Sequence, residues 1–182
     1  MGARAELTAD ATVALSADAV VLPGVGAFGA CMESLRTCGL ESVVHDVVKQ
    51  GVPFMGICVG MQMLFDESDE DPGVSGLGVI PGAVKWIPPT VQRPQMQWNQ
   101  LTIERDDPMF HGLGESPWMY FVHSFHGVPV DNDNVVATVR YGERLNVAFR
   151  RGNVFAVQFH PEKSSTAGLA LLRNFVTSVS AA

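Results

Sequence analysis

Two short stretches carry the residues best suited to chemistry. In Gly56-Ile57-Cys58-Val59-Gly60 a single cysteine stands between glycines at the end of an apolar run. In His160-Pro161-Glu162 a histidine and a carboxylate follow the apolar run from Val154 to Phe159. A Gly-x-nucleophile-x-Gly sequence suits a sharp strand-to-helix turn, because small neighbours let the strand and helix close up around a strained residue. The dipole of the helix that follows is expected to favour a Cys58 thiolate. A cysteine nucleophile needs a base, and alternate residues of an extended chain share a side, so Glu162 is expected to orient His160 and stabilise its charged form. Taken singly, each stretch also fits a structural role, a small buried thiol or a rigid turn. Together they point to catalysis.

The magnitudes indicate what His160 contributes. A thiol of pKa about 8.5 is already a few per cent thiolate near neutrality, so full ionisation gains only about thirtyfold. Protonating a poor leaving group is worth roughly 100- to 10,000-fold. The expected reaction is attack of Cys58 on a carbonyl, with His160 protonating a departing nitrogen. The oxyanion needs donors, and the N–H of Val59, next after the nucleophile, supplies one. The stretch Leu22-Pro23-Gly24-Val25-Gly26-Ala27-Phe28 suits the second, since Gly24 and Gly26 let a peptide unit turn its N–H inward. It has neither the G-x-G-x-x-G spacing of a dinucleotide site nor the G-K-[ST] ending of a P-loop. Gln62 is a polar residue on an apolar helix near the thiol, open to contacting substrate or facing solvent, whereas Met55, Met61, Met63 and Phe65 read as core.

These residues need a scaffold. From Ala19 the pattern predicts strand, glycine loop, helix to Gln50, buried strand over Val52 to Ile57, turn, helix, an order that builds a parallel sheet covered by helices. Between Pro72 and Pro94, Gly and Pro punctuation predicts turns and small strands. Later strands are expected at Met119 to His123, Val135 to Tyr141, Asn146 to Phe149 and Val154 to Phe159, and a helix over Ala167 to Val179. The 182 residues fit one domain. A net charge of −7 argues against a general nucleic-acid or anionic-membrane surface. Apolar runs too short and too interrupted to span a bilayer, with Glu6, Asp10 and Asp18 near the start, predict a cytoplasmic protein. Cys31, Cys38 and Cys58 form no CxxC pair and read as free thiols, with no metal expected. Cys31 and Cys38 lie seven apart on a predicted helix and so on one face, as core thiols. His45 and His111 read as surface residues, and His126 has no assigned role.

In this order, LPGVGAF, GICVGMQMLF, GLGVIPG, YFVHSF and QFHPEKSS make the chain resemble the class I glutamine amidotransferases. Within them it is similar to glutaminase subunits of imidazole glycerol phosphate synthase, from about Ala5 to the C-terminus. The resemblance implies a three-layer α/β sandwich with a mostly parallel central sheet. It also implies a triad in which Cys58 forms a glutamyl thioester, His160 shuttles protons and Glu162 orients His160. The implied oxyanion hole is the Val59 N–H with a peptide of the Val25-Gly26 loop, and the implied substrate residues are Gly26, Gln62, His123 and Ser124. No cofactor is implied. The implied partner is a (β/α)8 cyclase subunit in a heterodimer, faced by Pro94, Trp98, Asn99 and Lys163. Gln95 and Gln97 stand where the family usually has His and Gly.

The family has a first strand, a Gly-Asn loop and a first helix before the matching sequence. Ala3 to Gly24 therefore reads as the second strand and its sequel in an N-terminally truncated domain, with a misplaced start codon the expected cause. An absent internal strand leaves backbone groups unpaired and a helix face uncovered. Other readings are an amidotransferase serving a different acceptor, a binding protein impaired by the truncation, or a cysteine peptidase, the last disfavoured by Gln62 and the His-Pro-Glu arrangement.

Overall fold

The computed structural model describes residues 2–179. In chain order its elements are α1 (Ala11–Leu15), β1 (Val20–Gly24), α2 (Phe28–Thr37), α3 (Leu40–Lys49), β2 (Phe54–Cys58) and α4 (Val59–Gln62). Then follow β3 (Glu67–Ser68), β4 (Gly82–Trp86), β5 (Gln95–Gln100), β6 (Thr102–Ile103), β7 (Trp118–His123) and β8 (Phe125–Pro129). The chain continues through β9 (Val135–Tyr141), β10 (Glu143–Arg151), β11 (Val154–Val157) and α5 (Ser165–Val179).

The main sheet has the order β1-β2-β11-β10-β9-β6. Its site-bearing half is parallel: Val20 pairs with Phe54 and Gly24 with Cys58, while Val154 pairs with Phe54 and Val157 with Ile57. Antiparallel β10, β9 and β6 extend it. Side chains alternate across a strand, and the two sheet faces accordingly carry separate cores. Phe54, Val154 and Ala156 pack with Phe28, Met32, Leu35, Val43, Val44 and Val47 of α2 and α3. Met55, Phe155, Val157 and Phe159 pack with Leu171 and Phe175 of α5. The expected three layers result, and the strand ends carrying Cys58 and His160 share one edge, where open α/β sheets bind ligands. The predicted helix up to Gln50 is two helices, parted at Gly39, whose φ of +69° is left-handed.

Several expectations need correcting. No strand forms over residues 2–10; Asp10 instead caps α1, accepting from the N–H groups of Thr12 and Val13, and the first strand is β1. That strand is the edge of the main sheet and leaves Val21 44% exposed, and Pro23, which lacks an N–H, suits such a position. β11 stops at Val157, so Gln158 and Phe159 lie beyond it. Strand β5, read from sequence only as a partner-facing segment, pairs with β7, and Gln97 sits opposite Phe121 within a regular ladder. Cys38 is an exposed C-cap of α2 rather than a core thiol, and Cys31 is half-buried. A seven-residue spacing fixes a face only while the helix lasts, and α2 ends at Thr37.

Candidate active site

Cys58 is held at φ 56° and ψ −116°, a strained conformation for a side chain other than glycine. The flanking glycines explain how the turn closes. A Cβ on Gly60 would lie 1.9 Å from the carbonyl oxygen of Leu22 in β1, and one on Gly24 would lie 2.7 Å from the Gly60 nitrogen. On Gly56 a Cβ would meet Leu64 Cδ1 at 2.8 Å and Met61 Cα at 3.0 Å. The elbow is therefore pressed onto both β1 and its own helix. Met55, Met61, Met63 and Phe65 are buried around it, as expected.

The thiol does not behave as the sequence suggested. Burial pushes Cys58 up to about 11, while the Val59 N–H and, more weakly, Lys163 pull the other way. The four-residue α4 offers little dipole against that desolvation. At pH 7 only about one molecule in ten thousand then carries the thiolate.

His160 lines the same pocket as this thiol. It is buried, and its Nδ1 donates to Glu162 Oε1 at 2.7 Å. The pair is brought together by a 3-10 turn over Pro161–Lys163 rather than by the extended chain expected. Ser164 Oγ donates to the His160 carbonyl at 2.6 Å and accepts from the Tyr120 N–H at 3.0 Å, and the His160 N–H donates to the Tyr120 carbonyl. Strand β7 thereby fixes His160.

Cys58 and His160 open onto one pocket of about 350 Å³, lined also by Val25, Gly26, Val59, Gln62, Glu70, Pro94, His123, Ser124, Phe125 and Lys163. Gln62 is 3% exposed, which excludes the solvent-facing alternative, and its Nε2 donates to Gln158 Oε1 at 3.0 Å. Gly26 has φ +104°, and Val25, 78% exposed, has its carbonyl accepting from Cys31 Sγ at 3.4 Å. Burial lowers His123 to about 4, so its ring is neutral at pH 7. Its Nδ1–H donates to the Phe125 carbonyl at 2.6 Å, leaving Nε2 as an acceptor. Gln95 Oε1 is set 2.8 Å from Nε2, and since a neutral ring that has given its Nδ1 proton can only accept there, the carboxamide is assigned the reverse way, with its NH2 toward Nε2. His123 thus shapes the pocket wall with both ring nitrogens engaged inside the chain.

Sequence reasoning missed Glu70 and Gln158. Glu70 sits in an acidic run, Asp66 to Asp71, of the kind that usually marks solvated surface, yet Glu70 Oε2 accepts from the Phe28 N–H at 2.8 Å and Asp71 Oδ2 from the Gly29 N–H at 2.7 Å. These carboxylates cap α2, whose own N-cap is Ala27. A carboxylate run arriving where a helix lacks a local cap was the available signal.

Around the mouth, Pro94 and Lys163 line the pocket, while Trp98 is 42% exposed and packs edge-on against Tyr120. Asn99 does not present a free amide: its Nδ2 donates to the Arg140 carbonyl and its Oδ1 accepts from the Gln100 N–H.

Residues 4–179 match the family described as glutamine amidotransferase class-I. The imidazole glycerol phosphate synthase subunit HisH of Salinibacter ruber is 46% identical over 182 residues, covering 96% of this chain and 84% of that protein. The subunit of the same name from Methanothermobacter thermautotrophicus is 49% identical over 176 residues, covering 97% and 87%. Among solved structures, a glutamine amidotransferase is similar at TM-score 0.68 and 27% identity, covering 90% of this chain and 79% of its own. A glutamine amidotransferase from Thermotoga maritima shares the fold at TM-score 0.61 and 18% identity, covering 90% and 64%. With the nucleophile turn, the His160–Glu162 pair and a common pocket in place, this chain belongs to the class-I glutamine amidotransferase family.

Proposed function

We propose that this chain is the glutaminase subunit of an imidazole glycerol phosphate synthase, acting as one domain over its whole length. The observation that carries the reading is the opening of Cys58 and the Glu162-tethered His160 onto one pocket that also holds Gln62 and Glu70. His160 takes the Cys58 proton, and the sulfur attacks the side-chain carboxamide carbon of glutamine. The oxyanion is held by the Val59 N–H and by the peptide joining Val25 to Gly26. His160 returns the proton to the amide nitrogen as the C–N bond breaks, releasing ammonia and leaving a glutamyl thioester. Water, deprotonated by His160, then hydrolyses the thioester to glutamate and restores the thiol. Glu162 orients the imidazole throughout. Glu70 is the one carboxylate among the pocket-lining residues and suits the α-ammonium group of the substrate, with Gly26, Gln62 and Ser124 as further contacts and the His123 ring as a wall.

The ammonia goes to a (β/α)8 cyclase subunit, which joins it to a ribonucleotide intermediate and makes imidazole glycerol phosphate and an aminoimidazole carboxamide ribotide. The docking face runs from the pocket mouth at Pro94 and Lys163 across Trp98, with Met96 63% exposed beside it. An exposed tryptophan with an apolar neighbour is a suitable anchor for such a partner. The Val25 carbonyl is tied to Cys31, and its peptide must present an N–H to the oxyanion, so the isolated chain turns over slowly and the partner with its nucleotide stimulates it strongly. No helix among the described residues is long and apolar enough to cross a membrane, and free thiols suit the reducing cytoplasm.

The test is ammonia release from glutamine by the purified chain, with and without the cyclase and its nucleotide, using Cys58→Ala as the blank. Cys58-dependent, partner-stimulated turnover is expected. Turnover that a different acceptor enzyme stimulates and the cyclase does not would replace the histidine-pathway reading, and silence in every combination would leave a binding protein.

A further inference from the structure

Gln158 is wholly buried, one step beyond the Val157–Ile57 pair of the β11–β2 ladder, which places it beside Cys58. Its Nε2 lies 3.8 Å from Cys58 Sγ, and its Oε1 accepts from Gln62 Nε2 at 3.0 Å. We propose that Gln158 is a positioning residue of the reaction, donating to the Cys58 sulfur while fixing the Gln62 carboxamide so that Gln62 turns its acceptor oxygen toward the substrate.

The orientation of both amides follows from chemistry. The attacking form of the sulfur is the thiolate, which only accepts, so in that state Gln158 must offer it the NH2 group, and the carbonyl oxygen remains for Gln62. Gln62 is then bound to donate to Gln158, and its Oε1 is left for the pocket that it lines. Reversing one amide alone would set two donors or two acceptors face to face, and reversing both would turn the Gln158 oxygen onto the thiolate. A buried carboxamide is costly unless both ends are hydrogen-bonded, and an apolar side chain of equal volume would fill the same space without that requirement. Here the two partners are the nucleophile and a wall of the substrate pocket. The other groups that set the charge at Cys58 are Glu162 and Lys163 from the turn after β11 and Cys31 from α2, with His160 and Glu70 also lining the pocket. Gln158 adds a neutral donor to this set and stabilises the thiolate without a competing charge.

The proposal rests on Cys58 being the nucleophile of a glutaminase, and its test separates the two. Q158M keeps the volume and removes both hydrogen bonds; Q158E keeps the acceptor for Gln62 and replaces the donor to sulfur with a carboxylate. Thermal melting establishes that each variant is folded. The pH dependence of Cys58 alkylation by iodoacetamide, read by mass spectrometry on the Cys58 peptide so that Cys31 and Cys38 do not interfere, requires no turnover. At pH 8, far below the midpoint, the rate should fall about tenfold in both variants, the effect of losing one hydrogen bond to a charged group. In the complex with the cyclase, kcat should fall about tenfold in both, and KM for glutamine should rise only in Q158M, where Gln62 has lost its anchor. Unchanged alkylation rates with unchanged kcat in the folded variants would overturn the proposal. If Q158E does not fold, the same two measurements on Q158M alone support or overturn it. A wild-type chain silent on glutamine with its partner would sink the functional reading while the alkylation rate still decided the role of Gln158.

Discussion

The reactivity of Cys58 is decided by burial. With its pKa pushed up to about 11, alkylation of the isolated chain at Cys58 should be slow at pH 7 and quicken about tenfold per pH unit toward that value. A rate already flat by pH 8 would show a thiolate stabilised more strongly than the surrounding groups allow. In the proposed mechanism His160 both removes and returns a proton, which makes its tether to Glu162 consequential. Glu162→Gln should lower kcat for glutamine by about a hundredfold or more while KM moves little, because the imidazole loses its orientation and its charge partner. Cys58 and His160 were legible as candidates because each closes or follows an apolar run and carries a reactive group, and Glu162 because it stands two residues beyond His160. Glu70 and Gln158 were not, since their neighbours in space lie 42 and 100 residues away in the chain.

The elbow is an element-scale device, and its two glycines differ in kind. Gly60 faces the backbone of β1, which cannot yield, whereas Gly56 faces the end of the Leu64 side chain together with the Met61 backbone. Gly60→Ala should therefore destabilise the chain by more than about 3 kcal/mol or prevent folding, and Gly56→Ala by about 1 to 3 kcal/mol. Chemical denaturation of both variants checks the order, and equal losses would contradict the geometry. The Gly-x-Cys-x-Gly sequence announced that something must approach closely. It did not say that the approaching group is the Leu22 carbonyl, because a parallel neighbour is set by sheet topology and not by local pattern.

At the scale of the whole molecule, burial and docking make separate predictions. His123 and His126 are both lowered to about 4 by desolvation, against an ordinary value of 6.5. The unfolded chain therefore takes up these protons first as pH falls, so stability is whole above pH 6.5 and is lost between pH 6.5 and 4. Each histidine accounts for up to about 3 kcal/mol of that loss. Melting temperature should decline over this window, and His126→Leu, which removes one titration, should flatten the decline; an unchanged slope would show that other groups dominate. On the docking face, Trp98→Ala should weaken cyclase binding about tenfold or more while leaving the slow turnover of the isolated chain intact, as read by titration calorimetry and ammonia release. Loss of unstimulated turnover would make Trp98 part of the site instead.

The sequence by itself carried the family resemblance in its motifs, and it pointed to Cys58, His160 and the layered α/β architecture through local signals: apolar periodicity, glycine placement and reactive side chains at strand ends. Only the tertiary structure decided the ionisation of Cys58, the buried bond of Gln62 to Gln158, the arrival of Glu70 at the pocket and the internal engagement of His123 and Asn99. Desolvation and long-range hydrogen bonds depend on which distant segments pack together. A linear pattern specifies what each residue can donate or accept, and the fold specifies what is left to receive it.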